Sequence, residues 1–448
     1  MKLAVNDTYV KHLQRLVQIP TVSSDNDLTT DWAPFEAIHK ALEEMYPLIH
    51  QHLTKKEIGR GALLFHWKSA NPKKKPVLLM GHLDVVPAGD PKQWRFDPYS
   101  AAIADGCMWG RGTTDCKSTV LSELEAVEGL LAEGFEPDFD IYLAFGHNEE
   151  VNADPDIRGA ARIVTYLKDQ GIAVGTVFDE GGAVQSGKDK GLPFDIARIT
   201  MGEKASSDYT LYKDCAGGHS SMPGKGTALG SVAKAVVAVE SHPYPYRLTP
   251  LAAAQLKAMA PAETGLRRDV FSDPEGRFEE LKVIAAEDRA IDAILHTTFA
   301  VTMASGSPQN NVLPSHAEVN VNVRILEGDT ADSVLAYFKG IIPSDVKAKI
   351  AYGEDPWPDC SVDSGEYRLT ESVLKGLYGD DLLIVPNLMT GASDARYYSA
   401  ICRNVFRFSG LFKDSRWGEA HQVDEKIPLD VLATGVQFFQ TWLRAYNK

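Results

Sequence analysis

The chain has 448 residues, 44% of them apolar and 24% charged, with a formal charge of −15. That length exceeds one ordinary hydrophobic core, so two domains are expected of a water-soluble, enzyme-sized protein. The acidic balance leaves no basic surplus to neutralise phosphates, which argues against nucleic acid and against an anionic membrane surface as partners.

The N-terminus, MKLAVNDTYVKHLQRLV, breaks its apolar run at Asn6-Asp7 and lacks the apolar core of a secretory signal. Residues 7–18 carry apolar side chains at helical spacing, with Asp7 as a candidate cap, and Ile19-Pro20 ends that helix. A second helix is expected over Trp32–Met45, followed by a polar, weakly patterned stretch. Pro76–Val86 (PVLLMGHLDVV) then reads as a strand buried on both faces that ends in His82 and Asp84. In an open α/β sheet, sites lie beyond the carboxyl ends of strands, which is where His82 falls. Residues two apart on an extended segment face the same way, so Asp84 is placed to orient the imidazole.

Residues 97–112 read as loop, and Asp115 arrives just before a helix over Lys117–Glu133 that stops at Gly134. Phe139–Phe145 reads as a strand followed by Asn148, Glu149 and Glu150, and Ala160–Gln170 as a helix. Val174–Phe178 is a short strand that ends in Asp179-Glu180. The β-α-β rhythm predicts an α/β domain whose mixed, mostly parallel sheet is sandwiched by helices.

After about Lys204 the pattern changes. A strand at 208–215, a helix at 227–240, strands at 297–303 and 317–325, a helix at 331–339 and a strand at 346–352 give the order of an α+β ferredoxin-like sandwich. A loosely helical, proline-punctuated insert occupies 243–295. The α/β pattern then resumes with a helix at 367–377, a short strand at 382–384, a strand at 404–409, a loop bearing His421 and a closing helix at 429–446. The expected domains are therefore 1–204, 205–354 and 355–448, the first and last forming one catalytic domain. Five scattered cysteines (Cys107, Cys116, Cys215, Cys360, Cys402) with no C-x-x-C pair fit a reducing compartment, so a cytoplasmic location is expected.

His82, Asp115, Glu150, Glu180 and His421, with Glu149 and Asp84 beside them, are the candidate site residues. Two imidazoles and three carboxylates suit a borderline cation such as zinc, or two cations if one carboxylate bridges them. Asp115 is the best placed of the acids to bridge. On spacing alone, an acidic loop and a two-metal centre both stand open.

The segments GHLDVVP (81–87), GRGTTDCKS (110–118), NEEV (148–151) and FDEGG (178–182), with the late His421, resemble the di-zinc family of aminoacylases, succinyl-diaminopimelate desuccinylases and glycine-X carboxypeptidases. The long helical insert is most similar to the glycine-X carboxypeptidase branch. The resemblance implies that His82, Asp115 and Glu180 hold one zinc and that Asp115, Glu150 and His421 hold the other, with manganese or cobalt as alternatives. It implies Glu149 as general base, Asp84 as the support of His82, and a catalytic domain interrupted by a lid. His219 in GGHSSMP resembles a lid histidine that reaches the reacting carbonyl, often across a homodimer. Asn311 and Arg324 resemble groups that hold the substrate's polar end and carboxylate, and Gly391 and Ser393 a backbone-and-hydroxyl grip on that carboxylate. Two departures stand out. Asn148 replaces an acid before the glutamate pair, and Cys116-Lys117-Ser118 follows the bridging aspartate where relatives more often have Met or Asp, then Lys, then Gly. The peptide after that aspartate is often cis in relatives.

The implied reaction is hydrolysis of the amide of a dipeptide or N-acyl amino acid that ends in a free carboxylate. An N-acetyl or N-succinyl deacylase is the near alternative, and a non-hydrolytic metal-dependent binding protein the distant one.

Overall fold

The computed structural model describes residues 3–151 and 154–447, which fold into two compact units. One comprises residues 3–201, 360–386 and 393–447, and the other residues 202–359 and 387–392.

The first unit is built on a ten-stranded mixed sheet. Its strands run Thr54–Ile58, Ala62–Trp67, Ile141–Gly146, Val77–His82, Thr176–Asp179, Val405–Arg407, Ile196–Glu203, Val184–Gln185 and Phe412–Lys413, with Leu383–Met389 beside Ile196–Glu203. The centre of the sheet is parallel, and every residue of Val77–His82 and Ile141–Gly146 is buried. Continuous burial explains why these strands are apolar up to their ends, where His82 closes the first, rather than alternating. Helices Lys117–Ala132 and Leu432–Tyr446 carry much of the packing. Phe178 on a central strand meets Phe406, Phe438, Phe439 and Trp442 at ring-centroid distances of 4.9–6.0 Å. Each such ring removes apolar area worth roughly 1.5–3 kcal/mol from water.

The second unit holds a four-stranded antiparallel sheet ordered Thr298–Ser305, His316–Ile325, Ala205–Asp214, Lys347–Gly353. His316–Ile325 alternates between buried and half-buried positions past its exposed first residue. Its buried face (Val319, Val321, Val323) packs with Val232, Val239, Val334 and Phe338 from two helices, Ala228–Ser241 and Ala331–Ile341. This is the expected ferredoxin-like order, and helices Pro250–Met259, Gly265–Ser272, Phe278–Glu287 and Arg289–Ala293 form the insert.

Several local expectations are corrected. The first helix is capped by Asn6, whose side chain accepts from the Thr8 and Tyr9 amides, rather than by Asp7. The polar stretch before residue 76 contains a helix, Pro47–His52, and a hairpin, Thr54–Ile58 with Ala62–Trp67. Residues 97–112 are not all loop, because Ala102–Ala104 and Cys107–Trp109 pair and are joined by Lys426–Pro428. The strand expected to stop before Pro386 runs on to Met389. Among the described residues, no helix is long and apolar enough to cross a membrane.

Candidate metal centre and active site

Parallel register assembles the site. His82 pairs with Gly146, and Leu79 with Phe178, so three neighbouring strands deliver His82, the 147–150 turn and Glu180 to one edge of the sheet. Asn148 has φ +64°, a left-handed turn that re-aims the two glutamates after the strand ends. Asp115 comes from the loop that opens helix Lys117–Ala132, and the Asp115–Cys116 peptide is cis. His421 comes from the loop between Lys413 and Lys426, also at positive φ (+63°).

The side chains converge. His82 Nε2 lies 3.0 Å from Asp115 Oδ1 and 3.1 Å from Glu180 Oε1. His421 Nε2 lies 3.0 Å from Asp115 Oδ2 and 2.9 Å from Glu150 Oε2. The two oxygens of Asp115 thus face two different imidazoles, each accompanied by one further carboxylate. His82 Nδ1 is committed to the Asp84 carbonyl at 3.0 Å, which leaves the Nε2 lone pair to face the centre. The Asp84 carboxylate is fully buried and stands 3.5 Å from that Nδ1. It accepts the Glu149 amide at 3.3 Å and the Glu150 amide at 3.2 Å. Asp84 therefore grips the glutamate pair as well as flanking His82.

The electrostatics match a centre built for cations. Burial pushes the Glu149 carboxyl well above its usual range, and burial together with Asp115 pushes Glu180 up. Burial opposes ionisation of Asp115 too, but hydrogen bonds to His421 and His82 hold its carboxyl well below the usual range. The Asp115 hydrogen bond and Glu150 push His421 up to about 9. Carboxyl groups crowded this closely are costly to ionise together, a cost that divalent cations in place of the protons would offset. The sets His82–Asp115–Glu150 and His82–Cys116–Glu180 each bring their ligand atoms within 4.8 Å of one another. Cys116 is nevertheless a poor ligand, since burial pushes its thiol well up and its Sγ accepts the His82 amide at 3.2 Å.

Of the remaining expected residues, His219, Asn311, Arg324 and Gly391 belong to the second unit and Ser393 to the first. His219 is exposed on a short ribbon, paired with Val312, and the Asn311 carbonyl accepts the Ser220 amide, so His219 and Asn311 share that ribbon. Arg324 stands on the half-buried face of its strand, opposite Ser206 and Thr298. Gly391 is exposed, whereas Ser393 is buried, and its hydroxyl accepts from Arg407 Nε at 3.1 Å.

Three residues close to the site were not anticipated. Arg158 donates to the Glu149 and Val151 carbonyls and so fixes the glutamate turn. Arg111 and Glu425 form a buried pair at 2.6 Å behind Asp115. Arg111 had a signal, because it stands between two glycines of the Asp115 loop. Glu425 had none, because its partner is 314 positions away.

The model for Peptidase family M20/M25/M40 matches residues 78–445. The chain belongs to that family. Membership of family M20 makes it a metallopeptidase-type hydrolase. It is 31% identical over 447 residues to a probable carboxypeptidase S-like 2 of Dictyostelium discoideum, an alignment covering 97% of this chain and 85% of that one. It is 30% identical over 441 residues to the N-fatty-acyl-amino acid synthase/hydrolase PM20D1 of Bos taurus, covering 95% and 85%. Among solved structures, the M20 metallo-carboxypeptidase Sso-CP2 of Sulfolobus solfataricus shares the fold, with a TM-score of 0.67, 17% identity and coverage of 99% and 100%.

Proposed function

We propose that this protein is a two-cation amidohydrolase that cleaves dipeptides or N-acyl amino acids bearing a free carboxylate. The observation that carries this reading is Asp115, whose two oxygens each sit 3.0 Å from a different histidine. His82, Asp115 and Glu180 would hold one divalent ion and Asp115, Glu150 and His421 the other, with zinc first among the candidates and manganese or cobalt next. When bound, the ions supply Lewis acidity, polarising the scissile carbonyl and acidifying a water.

Glu149 takes the water's proton and passes it to the leaving amine, and its raised proton affinity suits a group that must hold that proton between the two steps. Asp84 keeps the Glu149 and Glu150 backbones in register with His82. We assign His219 the role of donating to the developing oxyanion, which typically lowers such a barrier by ~3 kcal/mol. Arg324 is assigned the substrate carboxylate, for which a guanidinium offers two parallel hydrogen bonds, with Asn311, Gly391 and Ser393 holding the same polar end.

The carboxypeptidase S-like and N-acyl-amino acid relatives both support a substrate whose amide nitrogen belongs to an amino acid. Residues 205–354 are assigned the role of lid and homodimer contact. Their outermost strand, Thr298–Ser305, exposes Met303 (70%), and the adjoining helix exposes Leu229 and Val237. All five cysteines are free thiols, which supports placement in the cytoplasm.

A panel of dipeptides and N-acyl amino acids, each also as its C-terminal amide, tests the reading with zinc, manganese and cobalt. Hydrolysis restricted to the free acids is expected. Metal-loaded protein that binds these compounds and cleaves none of them would make it a binding protein instead.

A further inference from the structure

His421 is the weakest anchored of the metal-facing side chains. Its side chain is 53% exposed, its backbone is left-handed, and its loop carries no helix and only one two-residue strand between Gly410 and Glu425. The partner it must meet, Asp115, sits more than three hundred positions away on another loop. What joins the two loops lies beneath them.

Glu425 is fully buried and Arg111 nearly so, with Arg111 Nη1 2.6 Å from Glu425 Oε2. The other oxygen, Oε1, accepts the Thr114 amide and hydroxyl, both at 2.8 Å, and the Asp115 amide at 3.3 Å. Arg111 Nη2 donates to the His421 carbonyl at 3.3 Å. The ladder Lys426–Pro428 with Cys107–Trp109 and the Gly110 amide on the Glu425 carbonyl (2.9 Å) close the frame. Trp94 covers the guanidinium, its ring centroid 5.2 Å away.

One buried ion pair therefore holds the backbone of Asp115 with one hand and that of His421 with the other. As a stabilising device it is a poor choice, since a buried pair commonly gains little over apolar residues of the same size. As a ruler it is a good one, because the carboxylate spends one oxygen on Arg111 and the other on Thr114 and Asp115, while the planar guanidinium spends one nitrogen on Glu425 and another on His421.

We propose that Arg111 and Glu425 are positioning residues that set the gap between Asp115 Oδ2 and His421 Nε2, and so the affinity of the Glu150–His421 cation site in particular. This rests on the two-cation reading above. The His82–Glu180 half meets the pair only through the shared Asp115, because His82 stands on a fully buried strand and is oriented through the Asp84 carbonyl.

The test titrates chelator-stripped protein with zinc against a chromophoric chelator, and with cobalt followed by its visible spectrum. The proteins are the wild type, Arg111→Lys, Glu425→Gln and the double variant Arg111→Met with Glu425→Gln. The wild type should bind two ions. Each folded variant should bind one ion within threefold of wild type and the second 10–100-fold more weakly. The double variant leaves no unpaired buried charge, and Arg111→Lys keeps the charge while losing the second hydrogen bond to His421, so folded protein is available even if Glu425→Gln alone is unstable. A folded double variant and a folded Arg111→Lys protein that bind both ions as the wild type does would overturn the proposal. So would equal weakening of both sites, which would make the pair a general support. A wild type that binds fewer than two ions would instead sink the two-cation reading itself.

Discussion

Replacing Asp84 with asparagine alters one atom of a side chain that touches three parts of the centre at once. The carboxylate is fully buried, accepts the Glu149 amide through Oδ1 and the Glu150 amide through Oδ2, and stands 3.5 Å from His82 Nδ1. Asparagine can accept only one of those amides, and its NH2 group must face the N–H of the other. A hydrogen bond to a charged acceptor contributes roughly 1.5–3 kcal/mol, and an orphaned buried donor costs a similar amount. Distances of 3.2–3.3 Å place these bonds at the long end of the range, so about 2 kcal/mol is the working figure. If that loss falls on the aim of Glu149 in the transition state, kcat/KM drops roughly 30-fold. The nearest partner of His82 Nδ1 is the Asp84 carbonyl at 3.0 Å, which the substitution leaves in place. Metal content measured by mass spectrometry should therefore stay at the wild-type value, and saturating metal should not restore turnover. Recovery of turnover at high metal would show that the carboxylate serves His82 alone. Asp84→Asn protein with kcat/KM within threefold of wild type would refute the whole argument.

Glu149→Gln should retain both cations while kcat falls by about 10²–10⁴, the span of general acid–base catalysis, and unchanged turnover would end its role as base. His219→Ala should lower kcat by about 10²–10³ at unchanged metal content. Mixing His219→Ala with Glu149→Gln protein should recover part of the activity if His219 acts across a dimer, and a mixture as inactive as its parts would place it within one chain. Lys204, in the second unit, offers a pH test that involves none of the metal-facing groups. Burial lowers its ammonium to about 7, although it donates to the Ala293 and His296 carbonyls and the Thr298 hydroxyl at 2.8–2.9 Å. Between pH 7 and the ordinary lysine range near 10.5, the unfolded chain holds a proton that the folded one has released, so this group's contribution to stability grows as pH rises. The urea midpoint of wild type minus that of Lys204→Met should be larger at pH 9 than at pH 7, and an equal difference at both would contradict the depressed pKa.

What the sequence disclosed about the site follows from what a strand must do. VLLMG and IYLAFG run on without polar alternation because both faces of the central sheet are covered. Parallel neighbours end on the same side, so the polar residues after each run group together from the sequence pattern alone. The hairpin strand Thr54–Ile58 was hidden for the opposite reason. Its sequence, TKKEI, buries only Ile58 and is a strand by virtue of its pairing with Ala62–Trp67, so tertiary context overrides a polar pattern. Pro386 misled because proline usually marks the limit of a strand. It is tolerated within Leu383–Met389, which lies off the main path of the sheet and pairs with Ile196–Glu203. His421 is the instructive case. A lone histidine in a polar loop has no periodicity to give it away, so only the order of the surrounding motifs marked it. Its geometry depends on a glutamate four residues later and an arginine more than three hundred residues earlier. A candidate ligand can be named from the order of motifs along the chain. The pair that joins two distant loops becomes visible only once the chain has closed on itself.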